Sequence, residues 1–151
     1  MKKNIPIYEP TISKNDKALL KRVVNSGWIS SQGPVVNEFE KKFSAWHNMK
    51  YALATSSCTS ALHLSILSLN LGKGDEIICP DLTFIAPANM IVESGAKLVL
   101  VDVNKDNCSI EINDLKKKLS KKTKALLIVH PFGHAADMEE IKKILKSKKV
   151  K

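Results

Sequence analysis

The first candidate for chemistry in the 151-residue sequence is a run of small, mostly hydroxyl-bearing residues, Thr55-Ser56-Ser57-Cys58-Thr59-Ser60. It lies between a predicted strand and a predicted helix, where free backbone N–H groups and about half a unit of positive charge attract anions. The hydroxyls of Ser57 and Thr59 add donors. The run indicates either a phosphate-binding helix start or an ordinary N-cap. It matches neither a Walker loop nor a GxGxxG fingerprint, which disfavours ATP and dinucleotides.

The second candidate is the segment Pro80-Asp81-Leu82-Thr83-Phe84-Ile85-Ala86, which follows the next predicted strand. Phe84 opens a predicted helix at the carboxyl edge of the sheet, where ligands of α/β proteins bind. Its ring is suited to lie against a planar heteroaromatic ring, and the alternative is a phenylalanine of the core. Together the two turns predict a phosphate at one and a stacked ring at the other.

Histidines and cysteines offer weaker candidates. His130 and His134 flank Pro131-Phe132-Gly133, but no carboxylate or thiol at ligand spacing completes a metal site, so we predict no metal. Cys58, Cys79 and Cys108 are too scattered for a disulfide framework or zinc site and are expected to be reduced thiols. Cys58 has no adjacent base, so we do not predict a nucleophile there.

The elements that must position these residues begin with two helices and continue as alternating strands and helices. Ser13 and Asp16 predict a capping box, and Gly27 follows the first helix. Phe39, Phe43 and Trp46 recur at helical spacing on the second helix and are predicted to be core residues. The alternation predicts an α/β fold with a mostly parallel sheet flanked by helices, after an N-terminal helical arm. The predicted strands are 51–55, 76–80, 97–102 and 124–130, and the later helices are 60–69, 84–93, 111–119 and 137–145, with turns at 72–75 and Gly95.

Composition limits the remaining function classes. The formal net charge is +9, but the surplus lysines fall on predicted solvent faces with few aromatic residues between them, so we favour solvated faces over nucleic-acid binding. No run of about 18 apolar residues and no signal-peptide pattern is present. The expectation is a cytoplasmic protein that binds neither nucleic acid nor membrane.

Five ordered segments span nearly the whole chain. The segments are Ser26-Gly27-Trp28-Ile29-Ser30-Ser31-Gln32-Gly33-Pro34, Ala54-Thr55-Ser56-Ser57-Cys58-Thr59-Ser60-Ala61-Leu62-His63-Leu64, Pro80-Asp81-Leu82-Thr83-Phe84-Ile85-Ala86, Gly95-Ala96-Lys97-Leu98-Val99-Leu100-Val101-Asp102-Val103 and His130-Pro131-Phe132-Gly133-His134-Ala135-Ala136-Asp137-Met138. In order and spacing they resemble the DegT/DnrJ/EryC1/StrS aminotransferase family. The Gly-Trp-Ile-Ser-Ser element is most similar to perosamine-synthetase-type members, which aminate the 4-keto group of a nucleotide sugar.

The resemblance implies the N-terminal part of the large domain of a type I pyridoxal-phosphate (PLP) transferase. It implies a homodimer with sites at the subunit interface, PLP as cofactor, and glutamate and a nucleotide sugar as substrates. Residues 1–33 would form an arm and helix, and residues 34–151 an incomplete PLP-binding domain. By position, Ser57, Cys58 and Thr59 would hold the phosphate and Phe84 the ring. Gly27, Trp28, Ile29, Ser30, Ser31 and His134 would line the sugar-nucleotide site. Cys58 stands where the family usually has glycine.

The resemblance also implies that this sequence ends before the Schiff-base lysine and the aspartate that pairs with the pyridine nitrogen. Asp102 matches a different family segment, so it is not predicted to replace that aspartate. We therefore expect the chain alone to be inactive and its uncovered apolar surface to make it poorly soluble. Two alternatives stay open: a non-catalytic PLP- or sugar-nucleotide-binding fragment, and, more weakly, a basic nucleic-acid-binding domain.

Overall fold

The computed structural model describes residues 5, 6, 8–146 and 150, and the chain divides into two compact units, Met1–Ala54 and Thr55–Lys151. Among these residues, the first unit holds two α-helices, and the second holds three strands, four α-helices and a short 3-10 helix, Pro131–Gly133. The elements are α1 (Lys14–Ser26), α2 (Pro34–Trp46), α3 (Cys58–Ser68), β1 (Glu76–Pro80), α4 (Ile85–Glu93), β2 (Lys97–Val101), α5 (Ile112–Lys118), β3 (Thr123–Leu126) and α6 (Met138–Lys146). The predicted division into an N-terminal arm and helix, residues 1–33, and an incomplete PLP-binding domain, residues 34–151, stays a prediction.

Helix α1 begins with the predicted capping box. The Ser13 hydroxyl accepts a hydrogen bond from the Asp16 N–H at 3.2 Å, and the Asp16 carboxylate accepts one from the Ser13 N–H at 2.7 Å. The helix ends at Gly27, whose φ of 73° lies in the left-handed region that glycine adopts at low cost. Both ends of α1 are therefore fixed by local sequence, and both predictions are confirmed.

The aromatic residues of α2 are not core residues, so that prediction is wrong. Phe39, Phe43 and Trp46 are 51%, 42% and 81% exposed, and α2 has no buried residue. Their rings contact one another instead, with centroids 5.4 Å apart for Phe39–Phe43 and 6.5 Å apart for Phe43–Trp46. Helical spacing predicted correctly that they share a face, but periodicity does not say what covers that face.

The predicted strand at residues 51–55 is also wrong, because the segment has no regular secondary structure and pairs with no strand among the described residues. Tyr51 and Leu53 are 76% and 74% exposed. The Ala54 N–H donates to the Glu40 carboxylate at 2.8 Å rather than to a neighbouring strand. Strand-favouring residues make a chain extended, but a ladder also needs a partner edge.

The second unit is built on a three-stranded parallel sheet in the order β2-β1-β3, which confirms the predicted α/β class. Every residue of the central β1 is buried, as expected for a parallel strand covered on both faces. The β3 ladder ends at Leu126, so it is shorter than the predicted strand 124–130, although the Leu127 N–H still donates to the Ile78 carbonyl at 2.9 Å.

Two apolar layers cover the sheet because its crossovers run in opposite directions. The chain passes through α4 from the central strand β1 to one edge strand, β2, and then returns through α5 across β1 to the other edge strand, β3. Both crossovers are right-handed, as parallel connections almost always are, so their opposite directions put α4 and α5 on opposite faces of the sheet. Ile77 and Cys79 accordingly pack with Ile66 of α3 and Ile91 of α4. On the other face, Ile78 belongs to a cluster completed by α5 and α6, whose buried members are Val101, Ile110, Leu115, Ala136 and Ile141.

The predicted turns and the last helix cap are present. Asp75 donates its N–H to the Gly72 carbonyl at 3.0 Å, and Gly95 follows α4 with a φ of 80°. Asp137 accepts a hydrogen bond from the Glu140 N–H at 3.0 Å and so caps α6. These short connections fix where each helix starts relative to the sheet.

Candidate functional site

The start of α3 is an open helix terminus supported by a network of hydroxyls. Ser57 is the N-cap, and its Oγ accepts a hydrogen bond from the Ser60 N–H at 3.1 Å. The Ser60 Oγ lies 3.1 Å from the Ser57 Oγ and 3.3 Å from the Ser56 Oγ. From the amino-terminal side, the Thr55 hydroxyl donates to the Ser57 carbonyl at 2.9 Å. The network fixes the turn that leads into the helix.

The hydroxyl network does not use the backbone N–H groups of Cys58 and Thr59, the two residues that follow the Ser57 cap. Within the described part of the chain, no acceptor is assigned to the N–H groups of Cys58 or Thr59, in keeping with the unpaired first turn of a helix. Ser57, Cys58 and Thr59 are exposed, and residues 55–60 contain no carboxylate. The donor set and its positive helix end fit a phosphate.

Phe84 presents its ring to solvent at the start of α4. It is the N-cap residue, four positions beyond the last residue of β1, and is 88% exposed. The alternative of a core phenylalanine is therefore wrong for this chain. An exposed aromatic face next to a helix start is compatible with covering one side of a planar ring.

Ser57 and Phe84 both lie at helix starts on the carboxyl-terminal side of the sheet. Helices α3 and α4 pack together on one face. A Cβ built on Gly72, in the loop that joins α3 to β1, would lie 3.9 Å from the carbonyl oxygen of Ser94, the C-cap of α4. The end of α4 therefore lies beside the loop that leads from α3 into β1, so both helices end on the amino-terminal side of the sheet. Their starts point toward the opposite edge, where β1 ends. This is the edge at which ligands bind in open parallel sheets.

The turn after β3 has a local structure of its own. The Nδ1 of His130 accepts a hydrogen bond from the Ala136 N–H at 3.2 Å, which closes the turn. Phe132 and Gly133 have φ values of 53° and 81°, and the Phe132 ring is 83% exposed. A left-handed phenylalanine is uncommon and indicates that the surrounding turn imposes the conformation.

His134 lines an open cavity of about 260 Å³ with Asn107, Glu111 and Asp137, among other residues. Neither the α3 start nor Phe84 lines that cavity. Its predicted place at the active-site entrance stays a prediction. Within the described ranges, no group of three or more His, Cys, Asp or Glu side chains is arranged to hold a metal ion.

The predicted sugar-nucleotide residues, Gly27 to Ser31, belong to the first unit, where they follow α1. Trp28 is 55% exposed and packs over Gly33, where a built Cβ would lie 3.4 Å from the Trp28 Cβ. Ile29 is 77% exposed, and the Ser30 hydroxyl donates to the Gln32 carbonyl at 2.7 Å. The segment is a hydrogen-bonded turn that leaves two large apolar side chains open to solvent.

The sequence alone does not predict the roles of three residues that the structure places at these turns. Thr55 and Ser60 support the Ser57 cap, and the i+3 spacing of Ser57 and Ser60 was the available signal. In the sequence, Phe132 belongs only to a segment that resembles the family, and nothing in its residue type indicates a left-handed backbone.

Comparison with known proteins assigns the family. The sequence profile of the DegT/DnrJ/EryC1/StrS aminotransferase family matches residues 10–151. The chain belongs to this family. GDP-perosamine synthase of Escherichia coli O157:H7 is 39% identical over 146 residues, and the match covers 97% of the chain and 40% of that protein. The chain thus spans about 40% of the length of the curated relatives it matches.

Solved structures give the same assignment. A Streptococcus pneumoniae protein assigned as a sugar aminotransferase, solved in its PLP form, has a TM-score of 0.84 and 30% identity, over 96% of this chain and 37% of that one. GDP-4-keto-6-deoxy-D-mannose-3-dehydratase of E. coli, with bound hydrated PLP, has a TM-score of 0.87 and 28% identity, over 97% of this chain and 39% of that one. The predicted family and fold class are confirmed.

No helix within the residues described is both long enough and apolar enough to cross a bilayer.

Proposed function

We propose that this chain forms part of a cytoplasmic, PLP-dependent aminotransferase that moves an amino group from glutamate to the keto group of a nucleotide sugar. The observation that carries the proposal is the open start of α3, where the described residues offer no acceptor to the N–H groups of Cys58 and Thr59, together with the exposed Phe84 at the start of α4. Membership of an aminotransferase family supports PLP as the molecule whose phosphate and ring these groups bind.

In this proposal the cofactor phosphate binds at the α3 start. The backbone N–H groups of Cys58 and Thr59 donate to it, and the hydroxyls of Ser57 and Thr59 add donors on the exposed side. The Ser57 hydroxyl accepts from the Ser60 N–H and lies 3.1 Å from the Ser60 hydroxyl, so it donates its own proton to the phosphate when the Ser60 hydroxyl is the donor of that pair. The thiol of Cys58 narrows the approach slightly but leaves backbone donation intact.

Phe84 covers one face of the pyridine ring in this proposal. The bound cofactor supplies an electron sink for negative charge that develops on the substrate carbon. The phenylalanine fixes the plane of the ring and excludes water from one side of it. An exposed ring is free to do this, because it contributes little to the packing of the second unit.

The substrates are proposed from the relatives. GDP-perosamine synthases of two organisms match more than 90% of the chain, and a solved relative carries GDP-perosamine. We therefore propose a GDP-linked 4-keto sugar as acceptor, residues 27–31 and His134 as part of its site, and a homodimer as the working assembly. A role in polysaccharide or O-antigen biosynthesis would follow from that product.

No residue of this chain is assigned a proton-transfer role. The cofactor-linking lysine and the acid at the pyridine nitrogen are proposed to lie in the portion of the relatives that the chain does not span. The chain by itself is then a cofactor-phosphate-binding part that does not transaminate. The second candidate is a non-catalytic module that binds PLP or a sugar nucleotide.

A chimera tests the proposal. Residues 10–151 replace the matched segment of the E. coli O157:H7 GDP-perosamine synthase, and the product is incubated with PLP, glutamate and GDP-4-keto-6-deoxymannose. We expect a GDP-linked amino sugar and one equivalent of 2-oxoglutarate. The same chimera with Ser57→Asp is the matched control, since aspartate caps a helix but repels phosphate.

A chimera that folds and binds PLP but yields no amino sugar would contradict the aminotransferase assignment and favour the non-catalytic module. A deoxygenated sugar in place of an amino sugar would instead favour the reaction named for the dehydratase relative.

A further inference from the structure

Residues in and next to α5 form hydrogen bonds with the backbone of β2 on the side of that strand that faces away from β1. The Lys97 N–H donates to the Asp75 carbonyl, and the Val101 carbonyl accepts from the Asp81 N–H. The backbone N–H and C=O groups of the odd-numbered residues of β2 therefore point toward β1. Backbone groups alternate along a strand, and those of Leu98, Leu100 and Asp102 therefore face away from the sheet. In the described part of the chain β2 is an edge strand.

Three of these outward groups already have partners from the α5 region. The Lys118 ammonium donates to the Leu100 carbonyl at 2.7 Å. The Asp102 N–H donates to the Asp114 carboxylate at 2.9 Å, and the Asp102 carbonyl accepts from the Glu111 N–H at 2.8 Å. Only the carboxyl-terminal half of the edge is closed in this way, since the groups of Leu98 have no assigned partner within the described residues.

Asp114 and Lys118 also hold each other in position. Their charged groups form an ion pair at 2.9 Å, one helical turn apart on α5. The backbone N–H of Asp102 and the ammonium of Lys118 lower the pKa of the Asp114 carboxyl below its usual value. The pair occupies the two edge positions, Leu100 C=O and Asp102 N–H, that a pairing strand would need.

The β2 strand that Asp114 and Lys118 cover has a composition that favours hydrogen bonding to a further strand. Leu98 to Val101 are all β-favouring or apolar and include no charge, proline or glycine, and Leu100 is 46% exposed. Unpaired edges of this composition recruit other strands, and natural proteins block them with charged side chains. An open cavity of about 640 Å³ lies along this edge, lined by Leu100, Asp102, Asp114 and Lys118 among others.

We propose that Asp114 and Lys118 close the β2 edge against strand addition by a second copy of the chain. A strand from another copy must displace the Lys118 hydrogen bond before it can pair with Leu100. Assembly of the protein, including any dimer, would then use surfaces other than this edge.

Self-association of the 151-residue chain tests the proposal. Lys118→Met removes the donor to the Leu100 carbonyl. Lys121→Met, in the turn between α5 and β3, makes the same change of charge and polarity outside the lining of the cavity along β2. Because one charge-assisted hydrogen bond no longer has to be displaced, we expect the self-association constant to rise about tenfold for Lys118→Met relative to Lys121→Met. Lys118→Arg should restore the wild-type value.

Amide hydrogen exchange shows where the new contact forms. We expect the N–H groups of Leu98 and Leu100 to gain protection in the associated Lys118→Met variant. Equal association of the two methionine variants, or association without protection of these two amides, overturns the proposal.

A wild-type measurement keeps the test valid if Lys118→Met fails to fold. The Asp102 N–H, held by Asp114, must exchange more slowly than the Leu98 and Leu100 N–H groups. Comparable exchange of all three amides means that the edge is open or already paired, and it also overturns the proposal.

Discussion

The carboxylate of Glu76 lies 2.5 Å from the hydroxyl of Ser120 and 3.2 Å from the ammonium of Lys97. Glu76 is the first residue of β1 and is 7% exposed. Lys97 begins β2, and Ser120 precedes β3, where its N–H donates to the Thr123 hydroxyl at 3.0 Å. One buried carboxylate thus joins the amino ends of all three strands.

The first prediction concerns pH. The hydrogen bonds from Ser120 and Lys97 lower the pKa of Glu76, so its stabilisation is complete above the unfolded-state pKa and is lost as pH falls through the folded value. Glu76→Gln should reduce the free energy of unfolding at pH 7 by about 1–2 kcal/mol. Urea unfolding should show the difference from wild type shrinking below about pH 4.

Glu93→Gln is the matched control, because Glu93 is an exposed glutamate at the end of α4. Two results would show that the Glu76 carboxylate does not stabilise the contact between the strands. One is an equal loss of unfolding free energy in Glu76→Gln and Glu93→Gln, and the other is a difference between Glu76→Gln and wild type that stays the same at acid pH.

The second prediction separates capping from phosphate binding at Ser57. Aspartate is as good an N-cap as serine, so Ser57→Asp should leave the free energy of unfolding within about 0.5 kcal/mol of wild type. Its negative charge should abolish binding of pyridoxamine phosphate, measured by calorimetry. Ser68→Asp, at the other end of α3, is the control and should bind normally. Retained binding by Ser57→Asp would place the phosphate elsewhere.

The third prediction concerns Phe84. Its ring is exposed, so Phe84→Ala should change the free energy of unfolding by less than about 0.5 kcal/mol. Loss of ring stacking should weaken pyridoxamine phosphate about three- to tenfold, whereas inorganic phosphate, which has no ring, should bind as to wild type. A parallel loss for both ligands would mean that Phe84 acts on the phosphate site and not on the ring.

The fourth prediction concerns the aromatic face of α2. Trp46 is 81% exposed within a cluster of contacting rings, so Trp46→Gln should leave unfolding unchanged and lower light scattering of the chain at high concentration. Tyr8→Gln, which removes an equally exposed ring outside any helix, should have a smaller effect. Equal light scattering by Trp46→Gln and Tyr8→Gln would mean that the ring cluster of α2 does not cause the self-association.

Local signals in the sequence predicted the parts of the fold that local interactions determine. The Ser13 and Asp16 capping box, Gly27 at the end of α1 and the buried strand 76–80 depend on neighbours within a few residues or on complete burial, and all were predicted. The segment 51–55 and the aromatic face of α2 depend on which surfaces meet them, which periodicity does not specify.

The candidate site shows the same division. The sequence predicts a helix start within the hydroxyl run 55–60 and another at Phe84, because turn and capping residues precede an apolar helical pattern there, although α3 begins at Cys58 and not at the predicted Ser60. The support from Ser60, the left-handed Phe132 and the separate cavity at His134 arise from three-dimensional packing of turns. Residue types at single positions do not determine such packing.

Alkylation of Cys58 tests the central claim, that the α3 start binds the cofactor phosphate, most directly. Cys58 is exposed at that start, Cys108 is half-buried, and burial raises the pKa of the Cys79 thiol to about 11, so Cys79 should react slowly near neutral pH. Mass spectrometry would follow iodoacetamide labelling at each cysteine with and without pyridoxamine phosphate. Labelling of Cys58 should slow in proportion to site occupancy, with Cys108 unaffected and with no slowing in Ser57→Asp. Labelling of Cys58 at an unchanged rate while the ligand is bound would contradict the account.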